Sequence, residues 1–166
     1  MDLDGQMRTY TAELGAVRSK GLGHLELLIA LVIGCLVFTL AVPACNGFVN
    51  GAKVARAVGE IAALEVELER FRLRNNDRIP ANLAELPVNV PSDPWGRDYQ
   101  FVNFVAAGPA QSRFRKDGHL NTLNSDYDLY SMGADGDSRG PLSARASRDD
   151  IVRANNGAFI GLVDEY

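Results

Sequence analysis

The sequence predicts an α+β fold: one long N-terminal helix, apolar in its first half and amphipathic in its second, packed on a small three-stranded antiparallel sheet. Three observations carry this. Leu27 to Cys45 is an uncharged apolar run of nineteen residues. From Val54 to Phe71 apolar residues recur at helical spacing. Beyond Asn75-Asn76-Asp77, short β-prone segments alternate with turn formers.

The apolar run LLIALVIGCLVFTLAVPAC has no charge, and Thr39 is its one hydroxyl. A run of about 18 or more such residues is long enough to span a bilayer core as a helix. The sequence has one such run, so the chain is single-pass at most. A buried core helix is the alternative, but such a helix usually shows a polar stripe, and this run has none. Upstream, Arg18 and Lys20 lie nearest the run, which keeps the N-terminus cytoplasmic and carries the C-terminal side across the membrane. Ala41-Val42-Pro43-Ala44-Cys45 is a weak signal-peptidase or lipoprotein site, following an apolar core longer than those signals use. Glu26 stands at the edge of the run. A carboxylate there either snorkels to the headgroups or has a partner.

Pro43 removes one helical hydrogen bond, and Gly47 and Gly51 weaken the following turns. This stretch is a site of kinking or a membrane-exit linker. Helical periodicity then returns: Val54, Val58, Ile61, Leu64, Leu68 and Phe71 are spaced 4, 3, 3, 4 and 3, one apolar stripe. Glu60, Glu67, Arg70 and Arg74 lie off it, on a solvated or subunit-contacting face. Asn75-Asn76-Asp77 and Pro80 end the helix. If continuous from Leu22, it runs about 75–80 Å at 1.5 Å per residue.

Asn82 to Leu86 is expected to make one short helical turn. Pro91 to Arg97 is dense in turn formers, and Tyr99–Phe104 reads as a strand. Ala106 to Asn124 is polar and reads as loop, Tyr127–Met132 as a second strand, and Ala158–Val163, after the Asn156-Gly157 turn signal, as a third. Trp95 is expected to anchor its turn in the core.

Composition narrows the function. The chain has 166 residues, room for one domain plus an appendage. With 46% hydrophobic and 23% charged residues it is neither a disordered polymer nor a polytopic membrane protein. A net charge of -4 without a basic block makes it a poor nucleic-acid binder. Cys35 and Cys45 lie ten residues apart on one helix, about 15 Å, too far for a disulfide. The two histidines, His24 and His119, belong to no zinc spacing, and no phosphate-cradling loop or nucleophile elbow occurs, so no enzyme is expected.

The stretch Lys20-Gly21-Leu22-Gly23-His24-Leu25-Glu26-Leu27-Leu28 resembles the N-terminus of type IV pilins and pseudopilins. The resemblance implies a type IV pilin-like fold and four segments: residues 1–21 as a cytoplasmic prepilin leader that is removed, 22–45 as a transmembrane and assembly helix, 46–74 as its amphipathic continuation, and 75–166 as a periplasmic loop and sheet region. It implies cleavage between Gly21 and Leu22 with N-methylation of Leu22. Glu26 becomes fifth in the mature chain, where it would compensate the amine of a neighbouring subunit. Pro43 falls at the family's helix-kinking proline. Leu22 and Gly23-His24 depart from the usual phenylalanine and apolar pair.

Asp93-Pro94-Trp95-Gly96-Arg97-Asp98-Tyr99 and Met132-Gly133-Ala134-Asp135-Gly136 resemble the DPWG and GADG segments of the G-type branch, the major pseudopilins of type II secretion. The tail from Ser143 and the insertion around Arg113–Asn121 depart from that branch. The branch binds calcium after GADG, which would make Asp135 the best-matched ligand, with Asp137, Asp149, Asp150 and the Met132 carbonyl grouped by proximity. Asx-turn chemistry in a solvated loop is the alternative.

The resemblance thus implies a structural subunit of a type II secretion pseudopilus. It would be an inner-membrane, single-pass protein with a periplasmic C-terminal domain, polymerised into a helical homo-oligomer. Its partners would be the prepilin peptidase, minor pseudopilins and the inner-membrane assembly platform. A type IV pilus subunit for adhesion, motility or DNA uptake, and a membrane-anchored periplasmic binding domain that never polymerises, are the alternatives.

Overall fold

The computed structural model describes residues 23–108, 114–118 and 121–166, without the side chains of residues 40–46. Helix α1 spans His24–Arg74. The chain divides into two compact units, Met1–Cys45 and Asn46–Tyr166. Within the described part of the first, the apolar side chains of α1 stand open: Leu25 is 72% exposed, Ile29 51% and Phe38 71%. Among the described residues no helix is long and apolar enough to cross a membrane. The expected apolar run extends to Cys45, so its Pro43 and Cys45 lie outside the described side chains, as Gly21 and Leu22 lie outside the described residues altogether.

The second unit holds the sheet. Its strands are β1 (Gln100–Asn103), β4 (Tyr127–Ser131), β5 (Ile151–Ala154) and β6 (Phe159–Leu162), in the order β1-β4-β5-β6. Every neighbouring pair is antiparallel, with registers such as Phe101↔Leu129, Tyr130↔Val152 and Val152↔Gly161. The expected three strands are therefore four. β5 is the added one, a fully buried central strand whose sequence IVRA carries an arginine. It pairs with β6 across the Asn155–Gly157 turn, where Asn155, Asn156 and Gly157 take positive φ.

The stretch expected as loop from Ala106 is also partly ordered. Phe104–Ala107 forms the short helix α2, capped by Asn103, whose side-chain oxygen accepts from the Val105 and Ala106 amides. β2 (Lys116–Asp117) and β3 (Asn121–Thr122) pair as a separate two-stranded ribbon. Leu83–Glu85 is the expected single turn, a 3₁₀ turn capped by Asn82.

Side chains alternate across the sheet, as strand geometry requires. Tyr127, Leu129 and Ile151 join Ala57, Ile61, Leu64, Leu68 and Phe71 of α1 in the main core, with Val54, Val58, Trp95, Phe101, Ile160 and Leu162 packed against it. The expected stripe is thus the face that the sheet covers. On the other face Val152 and Ala154 meet Leu123, Leu142 and Val163 in a second cluster. α1 stops where Asn76 and Asp77 adopt positive φ and the Asp77 amide returns to the Arg72 carbonyl at 2.9 Å. The Asn75 side chain caps the Phe71 carbonyl at 2.8 Å.

Among the described residues, two arginines are buried in this unit. Arg153 of β5 reaches toward α1, donating to Glu65 at 2.7 Å and to both oxygens of Asp126 at 2.9 and 3.0 Å, with its guanidinium 4.0 Å from the Tyr127 ring centre. The second, Arg115, is 2% exposed and ion-paired with Asp150, so removing that carboxylate would leave a buried charge unpaired.

Candidate functional site

The Pro-rich turn after Val90 and the glycine loop after β4 are far apart in sequence and meet in space. Asp93 is buried, and its Oδ1 accepts from the Trp95 amide at 3.0 Å and the Arg97 amide at 2.8 Å. This is Asx-turn chemistry, closed by the Asp93 amide donating to the Arg97 carbonyl at 2.7 Å. The other oxygen, Oδ2, accepts from the Ser131 hydroxyl at 2.6 Å, at the end of β4. Ser131 Oγ in turn accepts from the Gly133 amide at 3.3 Å. Arg97 crosses to the same loop and donates to the Gly133 carbonyl. One buried carboxylate therefore clasps the DPWG turn to the GADG loop.

The glycines of this loop are required by contact as well as by conformation. Gly133 has φ of 61°, and a Cβ there would run into the Asp149 backbone. Gly136 has φ of 74°, and a Cβ there would stand 2.9 Å from an Arg97 nitrogen. Asp149 Oδ2 accepts from the Ala134 and Asp135 amides at 2.7 and 2.9 Å. Asp135 Oδ1 accepts from the Asp137 amide at 2.8 Å, Asp137 Oδ1 from the Ser138 amide at 2.9 Å, and the Met132 carbonyl from the Gly136 amide at 3.2 Å.

Asp150 is turned elsewhere. It is fully buried, its Oδ2 accepts from Ser138 Oγ at 2.7 Å, and it is ion-paired with Arg115. Burial pushes its carboxyl up to about 6, outweighing the opposing pull of the Arg115 charge. Asp128 is likewise raised by burial, against the hydrogen bonds it accepts from the Arg115 amide and Asn124.

The five residues grouped for calcium thus do not converge. Among the described residues no three His, Cys, Asp or Glu side chains come together to hold a metal ion. Calcium takes 6–8 oxygens. Here one candidate carboxylate faces an arginine, and three others have an oxygen spent on capping the loop's own amides. As they stand, these residues do not fit that ion.

At the other end of the described chain, Glu26 lies exposed in the first turn of α1. A carboxylate there faces the unpaired amides and positive end of the helix dipole. The uncovered Leu25, Leu27 and Leu28 flank it. Sequence reasoning placed Glu26, DPWG and GADG, but missed Arg97, Ser131 and Arg115. Their signal is spatial: the second oxygen of the buried Asp93 takes its donor from Ser131, 38 residues further along the chain.

Fold and site together define a class: a small α+β domain carried on a long helix, its buried polar groups spent on fastening loops to the sheet. No family model matches the chain, and no solved structure matches it. Among curated proteins it is similar to the type II secretion system core protein G of Aeromonas hydrophila, 30% identical over 72% of this chain and 86% of that protein. It is also similar to the proteins of that name from Escherichia coli K12, 29% identical over 72% of this chain and 85% of the relative, and from Vibrio cholerae, 27% identical over 74% and 86%. The chain belongs to the type II secretion system core protein G family.

Proposed function

We propose that this chain is the structural subunit of a type II secretion pseudopilus. In this reading a prepilin peptidase cuts between Gly21 and Leu22 and Leu22 is N-methylated. The mature chain waits in the inner membrane through residues 22–45, with its sheet domain in the periplasm. Its helices then pack into a filament, together with minor pseudopilins and the assembly platform, and filament growth drives folded proteins across the outer membrane. The observation that carries the reading is membership of the core protein G family.

The helix supplies its physical sense. The apolar side chains of α1 from Leu25 to Phe38 are exposed, and such a surface calls for lipid or for other helices. Cleavage would place a positive amine at Leu22, four residues before Glu26. In a low-dielectric filament core that amine and the Glu26 carboxylate of a neighbour are tolerable only as a close pair. The test is mass spectrometry of the protein recovered from cells, with Glu26→Leu beside it. A mature chain beginning at methyl-leucine is expected, and Glu26→Leu is expected to abolish assembly while leaving membrane insertion intact. Recovery of an active chain that still begins at Met1, or normal filaments from the variant, would overturn the proposal. Deletion is expected to block secretion and spare surface pili.

A further inference from the structure

The β4–β5 connection departs from the calcium loop that the family resemblance implies. Its buried cation is already in the chain. Arg115 touches three parts of the fold at once. Its backbone amide donates to Asp128 Oδ2 of β4 at 2.6 Å. Its Nη1 donates to Ser138 Oγ and, at 2.7 Å, to the Arg139 carbonyl, both within the connection. Its Nη2 donates to Asp150 Oδ2, one residue before β5. The guanidinium carbon stands 4.4 Å from the Tyr130 ring centre, so a β4 aromatic forms one wall. Arg115 is 2% exposed and Asp150 0%.

Two further atoms complete the picture. Arg115 Nε and Asp150 Oδ1 are both buried without a hydrogen-bond partner among the described residues. They are a donor and an acceptor on the same ion pair, the second arm of the fork that arginine and a carboxylate form together. A divalent ion added beside Asp150 would stand against a buried positive charge that it could not displace without stripping Ser138 and Arg139 of their donor.

We infer that the guanidinium of Arg115 takes the place of a structural metal in this chain, tying the glycine loop's C-terminal side to β4 and β5, and that the folded domain is calcium-independent. The arginine pairs with Asp150 directly, Asp128 accepts from Asn124 at 2.9 Å, and Asp149, Asp135 and Asp137 each accept from loop amides.

The test is thermal unfolding of the full chain in detergent, followed by the fluorescence of Trp95, the chain's one tryptophan. Midpoints in EGTA and in millimolar calcium are expected to agree. A site filled at a hundred times its Kd would raise the midpoint by roughly 5 °C or more, so the comparison is decisive. Arg115→Gln is expected to melt well below the parent chain in EGTA. Should it fail to fold, Arg115→Lys keeps the charge and is expected to fold, melt lower than the parent and remain indifferent to calcium. A calcium-raised midpoint in the parent chain, or Arg115→Gln melting with the parent, would overturn the inference. Neither outcome bears on filament assembly, which the Glu26 and N-terminal measurements test separately.

Discussion

Two stretches of the same helix, residues 25–38 and 54–71, are both rich in apolar side chains and meet opposite fates. In the second, Ile61 and Leu68 are wholly buried. In the first, Leu31 is 64% exposed and Leu36 60%. Quantity of apolar surface does not separate them; spacing does. Between 54 and 71 the apolar residues form one stripe, and the exposed Arg56 and Arg70 lie off it. One sheet can cover one stripe. Between 27 and 38 the residues are apolar or small all round the helix, and such a helix needs an apolar environment all round it. The described core is therefore built on the second stretch, while the side chains of the first are exposed.

Truncation at matched positions is the strongest way to break that contrast. Leu68→Ala removes a fully buried side chain between α1 and the sheet and is expected to cost about 2–5 kcal/mol of domain stability. Leu31→Ala, the same chemical change on an uncovered position, is expected to stay within about 0.5 kcal/mol. Denaturant unfolding followed at Trp95 reads both. Equal losses would mean that the first stretch packs on its own domain.

The clasp is the next test, because it lies wholly within the second unit and uses polar atoms in place of apolar ones. Asp93→Ala strips partners from the Trp95 and Arg97 amides and the Ser131 hydroxyl in a buried place. The expected loss is about 3 kcal/mol, since hydrogen bonds to a charged group and stranded donors both count. Asp93→Asn, which keeps one acceptor, is expected to lose less. A neutral Asp93→Ala would show that the DPWG turn holds its shape without the carboxylate.

How much of this was legible follows the same division. The Val54–Phe71 stripe and its burial could be read from spacing alone, because a single helix face needs no long-range information. The turn formers at Asn75–Asp77 and Asn156-Gly157 likewise announced themselves through local backbone chemistry. β5 could not be read: Arg153 interrupts its apolar pattern, and the side chains that make this arginine acceptable in a central strand, Glu65 and Asp126, lie 88 and 27 residues away. Arg115 was hidden for the same reason, in a stretch whose polarity reads as loop. At the site, DPWG and GADG were visible as motifs, while their joining through Asp93 and Ser131 was not. The grouping of Asp135, Asp137, Asp149 and Asp150 rested on closeness in sequence, and the fold turns Asp150 away from the other three toward Arg115.

Acidification sharpens the contrast by the smallest of these effects. Asp150 titrates at about 6 in the folded chain, against an ordinary value of 3.8, because burial penalises its charged form. Between those values the folded state holds a proton that the unfolded state has released. Folding therefore takes up a proton in this window, and lowering the pH from 7 toward 5 adds to stability through this group. The burden of the ionised, buried carboxyl returns as pH rises through 6. Asp128, raised by burial in the same way, acts in the same direction. Melting midpoints of the full chain are expected to rise modestly from pH 7 to pH 5, and Asp150→Asn, which cannot titrate, is expected to flatten that slope. A midpoint that falls on acidification in the parent and not in the variant would mean that the Arg115 pairing outweighs burial and holds Asp150 ionised. Since Asp150 and Arg115 both belong to the second unit, the slope reads that unit alone and is expected to be unchanged by Leu31→Ala.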